Sequence, residues 1–153
     1  MHAENDRSPA PGRGDAPTYV GELLQRALVS GLTDVYLVPG ATGVDIRGRL
    51  ASGEVSLLDR LETPFGTQCI ARLKVLAGML TYRTTSAQDG AIHAPPGGGE
   101  GEFRVASLPT RTGERLTVRV LRGRQGPPRL GELGFAPPAA EALRRLRRHP
   151  TGL

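Results

Sequence analysis

The 153-residue chain has no tryptophan, one cysteine and one lysine, and only 4% of its residues are aromatic. A lone cysteine, Cys69, closes no intramolecular disulfide, which excludes a cross-linked secreted scaffold and makes a buried structural thiol the simplest reading. No apolar run approaches the roughly 20 residues that cross a bilayer. Met1 to Ala16 is polar and lacks the apolar segment of a secretory signal, so the expected location is cytoplasmic, without stable membrane insertion. His2, His93 and His149 are the only histidines, and none is near Cys69 in sequence, so no nucleophile–base pair is evident. CxxC, HExxH and clustered carboxylates are missing, and no metal site is expected. The one lysine, Lys74, stands inside a helical pattern and not in GxxxxGK[ST], which removes the usual phosphate-cradling loop.

What the chain has instead is arginine, glycine and proline. Gly 21 and Pro 13 exclude a long coiled coil and demand many turns. All but one of the 20 basic residues are arginine, giving a net charge of +5 and a pI near 10.3. The surplus is uneven: residues 1–110 carry 10 basic and 12 acidic side chains, residues 111–153 carry 10 and 3. Such a bias fits a polyanion partner, an acidic protein surface, or a codon preference for arginine. The three Phe and three Tyr do not interleave with the C-terminal arginines, which disfavours nucleic acid.

Met1 to Pro17 has no apolar period and reads as a disordered tail. Thr18 is the expected N-cap of a helix to about Ser30, with Tyr19, Leu23, Leu24, Ala27 and Leu28 at helical spacing and Gly31 as its stop. Asp34–Pro39 and Val44–Leu50 read as a strand hairpin, and Val55–Leu58 as a third short strand. Thr63 caps a helix Pro64–Ala77 ended by Gly78; Phe65, Cys69, Leu73 and Leu76 form its inner stripe, and Gln68, Arg72 and Lys74 fall on its surface. Ala91–Ala94 is a short strand, 95–101 a mobile loop, Glu102–Leu108 and Arg115–Arg122 strands joined by a turn at Pro109–Gly113. In the last strand Leu116, Val118 and Val120 face one way, Arg115, Thr117 and Arg119 the other. A connector over 123–134 leads to a helix Pro138–His149 with Leu143 and Leu146 inward and Arg144, Arg145, Arg147 and Arg148 mostly outward. The order of elements predicts an α+β domain with a mainly antiparallel sheet flanked by helices. The residues alone supply no self-contained catalytic centre.

Seven stretches, in order, resemble the type II secretion and type IV pilus assembly ATPases. Ser30 to Pro39 (SGLTDVYLVP) is similar to the family's GATDIHLEP, and Val44 to Leu50 (VDIRGRL) to its VRxRxDG strand. Ile70 to Met79 (IARLKVLAGM) is nearly its IxRLKVLAGM helix. Gln88-Asp89-Gly90 resembles PQDGR, and Phe103 to Thr110 (FRVASLPT) resembles its RVSTLPT strand. Gly113-Glu114 with Val118 to Leu121 follows GExxVxRxL, and Leu130 to Phe135 follows LxxLGF. The motif positions are Asp34, Arg72, Leu73, Lys74, Gly78, Gln88, Asp89, Gly90, Pro109 and Glu114.

The resemblance implies a PAS-like domain over 18–122, then a connector and Arg-rich helix over 123–153 leading toward a RecA-like motor. In that family such a domain helps build a hexamer and lends arginines to ATP; Arg104 stands at the position of one phosphate-contacting arginine. The residues themselves allow a second reading, a surface arginine paired with Glu102 or Glu100. This sequence departs from the family at Ala91, where PQDGR has arginine, and at Tyr36 and Val38. The chain stops before Walker A and Walker B, so it is expected not to hydrolyse ATP itself, and ATP and Mg belong to full-length relatives. Expected partners are a motor domain or ATPase subunits and an inner-membrane platform protein. The alternatives are a stand-alone interaction module using the arginines of 111–148 and, less favoured, a nucleic-acid-binding domain.

Overall fold

A computed structural model describes residues 14–93, 95, 96, 101–121 and 130–146. The expected tail through residue 13, the loop at 97–100, the connector at 122–129 and Arg147, Arg148 and His149 lie outside the described residues. The chain divides into two units, residues 1–122 and 123–153.

The first unit holds α1 (Ala16–Val29), β1 (Leu32–Pro39), β2 (Gly43–Leu50), β3 (Val55–Glu62), α2 (Thr63–Leu76), β4 (Gln88–Ile92), β5 (Glu102–Thr110) and β6 (Gly113–Leu121). The six strands form one sheet in the order β3-β2-β1-β6-β5-β4, with every pairing antiparallel. Two three-stranded meanders, β1–β3 and β4–β6, are therefore joined along a single seam between β1 and β6, and α2 carries the chain from one outer strand to the other. The α+β architecture with an antiparallel sheet is as the sequence implies.

Local chemistry sets the element ends. α1 starts three residues earlier than a cap at Thr18 implies, because Asp15 is the cap: its Oδ1 accepts the Thr18 N–H at 2.9 Å. Hydrogen bonds from the Thr18 side chain and backbone hold the Asp15 carboxyl below its ordinary range. Gly31 at φ +77° ends the helix. α2 is capped at Glu62 rather than Thr63, and its C-terminus closes when the Ala77 N–H bonds the Leu73 carbonyl and the Met79 N–H bonds the Lys74 carbonyl, with Gly78 at φ +71°.

One face of the sheet is buried under α1 and α2. Val20, Leu24 and Ala27 from α1 and Cys69 and Leu73 from α2 meet Val35, Leu37, Ile46, Leu61, Ile92, Phe103, Val105, Leu116 and Val118. Each large side chain so covered contributes about 1.5–3 kcal/mol. Gly66 lets α2 lie against Val44, where a Cβ would collide with the valine.

Three expectations are corrected. Lys74 is not on the α2 surface but fully buried, because its ammonium finds acceptors inside. The strand expected at Ala91–Ala94 is β4, Gln88–Ile92: the Gln88 amide binds the Leu80 N–H and the Leu80 and Arg83 carbonyls, which fixes where the strand begins. β3 extends to Glu62 and β5 to Thr110, leaving Arg111 and Thr112 as the turn before β6.

The second unit contains a 3-10 turn, Leu130–Leu133, and α3, Pro137–Leu146. Leu143 and Leu146, expected inward, are exposed. Within residues 130–146 one turn and one ten-residue helix offer no second layer to cover them.

Candidate functional site

The helices leave the other face of the sheet open, and strand alternation fills it with polar side chains. Register places Ala91, Arg104, Arg119, Asp34 and Arg49 in one row across β4, β5, β6, β1 and β2. The neighbouring row is Asp89, Ala106, Thr117, Tyr36 and Arg47. The small side chains of Ala91, Ala106 and Thr117 sink the surface between larger ones. The result is a hollow of about 810 Å³ whose lining includes Arg104, Arg119 and Asp89.

Arg104 and Arg119 lie directly opposite on adjacent strands, a placement that alone would be repulsive. Each has a carboxylate partner, reached through Nε. Arg119 Nε donates to Asp34 Oδ1 at 3.0 Å, and this bond holds the guanidinium above its ordinary pKa. Arg104 Nε is 3.3 Å from Glu102 Oε1, and His93 Nδ1 is 3.8 Å from the same oxygen. An arginine held at Nε still carries donors on its terminal nitrogens, and a planar fork of that kind suits an oxyanion. Both arginine side chains remain about two-thirds exposed.

Farther along the same face Asp45 binds two arginines, Arg60 Nε at 2.6 Å and Arg47 Nη2 at 3.1 Å. The Arg60 and then the Arg47 hydrogen bonds keep the Asp45 carboxyl below its usual range. Arg115 stacks over Tyr36, 5.6 Å from the ring centroid. A second concavity of 350 Å³, at the turn end of the sheet, is lined by Thr63, Thr67, Thr84, Thr110 and Thr112. Among the described residues its lining includes Glu114 and no guanidinium, whereas the larger hollow has two.

The remaining motif positions act on the buried side. Lys74 Nζ donates to Glu114 Oε1 at 2.6 Å and to the Arg83 carbonyl at 3.0 Å, while Ser107 Oγ donates to the same Glu114 oxygen at 3.0 Å. This cluster ties α2 to β5, β6 and the segment before β4. Leu73 is core. Gly78 closes α2 and Gly90 admits the Ala77 carbonyl at a distance no Cβ tolerates. Pro109 sits on β5 past Ser107, the last β5 residue paired with β4, so its missing N–H breaks no β4 ladder bond. Arg72 is half-buried, and its Nε is a buried atom without a hydrogen bond among the described residues. Two of the structural motif positions lie on the open face, Asp34 beside Arg119 and Asp89 in the lining of the hollow. Arg119 is the site residue that sequence reasoning left out. Its signal was available: a two-residue turn at Arg111 and Thr112 makes residues 104 and 119 equidistant from the bend.

Residues 12–153 match the family model described as Type II/IV secretion system protein. The chain belongs to that family. It is 25% identical over 138 residues to the type IV pilus assembly ATPase PilB of Thermus thermophilus, covering 90% of this chain and 15% of the relative. Type II secretion system protein HxcR of Pseudomonas aeruginosa is 28% identical over 134 residues, covering 88% of this chain and 28% of the relative. The protein transport protein HofB homolog of Escherichia coli is 33% identical over 105 residues, covering 66% and 23%. The chain thus spans 15% to 28% of the length of these relatives of the secretion-system family. Among the described residues there is no helix long and apolar enough to cross a membrane and no group of metal-ligating side chains.

Proposed function

We propose that this domain of the secretion-system family presents Arg104 and Arg119 to the phosphates of a nucleotide held by a motor domain, and so couples nucleotide state to assembly of the ATPase ring. The observation that carries the reading is the pair of opposed guanidiniums over the hollow, each tied back through Nε. Two such forks on rigid strands suit a polyphosphate, whose charge they stabilise without reorganising. The rest of phosphoryl transfer, a P-loop lysine and carboxylates for Mg, is the work of the motor domain. Residues 1–153 supply phosphate contact and assembly surface, with hydrolysis done by that motor domain. The Asp45–Arg47–Arg60 cluster on the same face, with exposed Val55 and Leu57 on neighbouring β3, suits contact with an acidic subunit surface.

Titration of the 15N-labelled chain with inorganic tripolyphosphate tests the reading. The Arg104 and Arg119 Nε–Hε resonances should shift together. Arg104→Ala and Arg119→Ala should each weaken binding about 5- to 100-fold, the scale of one lost charge-assisted contact. Unchanged affinity in both variants, with native amide spectra, would overturn it.

A further inference from the structure

Asp34 is an odd neighbour for an anion site. It stands on the central strand β1, opposite Arg119, and is only 4% exposed although the face around it is open. A buried carboxylate costs several kcal/mol unless it is paired and hydrogen-bonded. Here both oxygens are used: Oδ1 accepts from Arg119 Nε, and Oδ2 lies 3.0 Å from Thr33 Oγ1. The Thr33 hydroxyl is also 3.2 Å from the Arg49 carbonyl, and its single proton can go to either acceptor, so the carboxylate has one partner on the β1–β2 side and one on β6.

A negative charge beside a polyphosphate opposes binding by simple Coulomb attraction and repulsion. What it offers in return is orientation. Held at Nε by a buried carboxylate, Arg119, which lines the hollow, has less side-chain freedom to lose when a ligand arrives. Arg104 is held differently, at 3.3 Å by Glu102, whose carboxylate is more exposed and is also approached by His93. The two arginines are therefore unequal, one fixed and one adjustable.

The geometry points to Asp34 as the positioning residue of the anion site, acting through Arg119; the inference rests on reading the hollow as that site. It is separable from a merely structural role because the two have opposite signs. Asp34→Asn removes a negative charge near the hollow, so electrostatics alone makes tripolyphosphate bind more tightly. Positioning makes it bind more weakly, by about 3- to 10-fold, the cost of ordering one long side chain.

The experiment measures tripolyphosphate affinity of the full 153-residue chain by calorimetry, with the Arg119 Nε–Hε resonance followed by NMR. Asp34→Asn is expected to weaken binding and to broaden or move that resonance toward the position of a solvated arginine. Asp45→Asn, which removes the same charge elsewhere on the face, is expected to leave affinity unchanged or slightly tighter. If Asp34→Asn does not fold, Thr33→Val loosens the same carboxylate, and a smaller loss of the same sign is expected. Binding by Asp34→Asn or Thr33→Val that equals or exceeds that of the parent, with a native amide spectrum, overturns the inference. Should Arg104→Ala and Arg119→Ala both leave affinity unchanged, the reading of the hollow falls first and takes this inference with it.

Discussion

Lys74 is fully buried on α2, with its ammonium held by the Glu114 carboxylate and the Arg83 carbonyl. Helical periodicity puts it off the inner stripe set by Cys69 and Leu73, and a lysine there is normally solvated. It is buried because partners distant in sequence reach it: Glu114 lies 40 residues away and the Arg83 carbonyl nine. No local pattern encodes that meeting, although the resemblance did mark both Lys74 and Glu114 as motif positions. Removing one member of a buried pair leaves the other uncompensated, so Lys74→Ala should destabilise the fold by about 3–5 kcal/mol. Lys74→Met combined with Glu114→Leu should recover most of that loss, since two apolar side chains leave no charge stranded. Urea unfolding of the three proteins checks both outcomes; a single variant as stable as the parent would show that the pair is not what seals this part of the core.

Elements were easier to read than residues. The alternation Leu116, Val118, Val120 against Arg115, Thr117, Arg119 fixes which face of β6 is buried, and the structure has it so. Boundaries slipped where a side chain, not the periodic pattern, sets the end: the Asp15 carboxylate for α1 and the Gln88 amide for β4. The packing of α2 against β4 was not legible either, since nothing in Gln-Asp-Gly says that the glycine faces a helix C-terminus. Gly90→Ala would drive a methyl group into the Ala77 carbonyl and force the helix and strand apart. A cost of about 1–3 kcal/mol is expected, as for other overpacked sites. A fall in thermal midpoint, with faster amide exchange in β4 and the last turn of α2, is the measurable outcome, while an unchanged midpoint would mean the two elements can separate freely.

On the scale of the whole molecule, an antiparallel α+β domain was readable from element order, but strand order was not. That order decides the site, because only the β1–β6 seam brings Asp34 beside Arg119. Ala91 adds a separate test. It is the register partner of Arg104 and borders the hollow. Ala91→Arg should place a third guanidinium there and tighten tripolyphosphate binding about tenfold, with a steeper fall in affinity as salt is raised. Equal affinity at low salt would show that the hollow is not where the anion sits. The seam has a last consequence, in time rather than space. Within each meander the strands are joined by connections of at most nine residues, whereas β1 meets β6 across 85 residues between Asp34 and Arg119, a closure that carries a larger entropic cost. The proposed anion site is therefore completed only when the two halves of the sheet zip together, since neither meander alone brings Asp34 to Arg119.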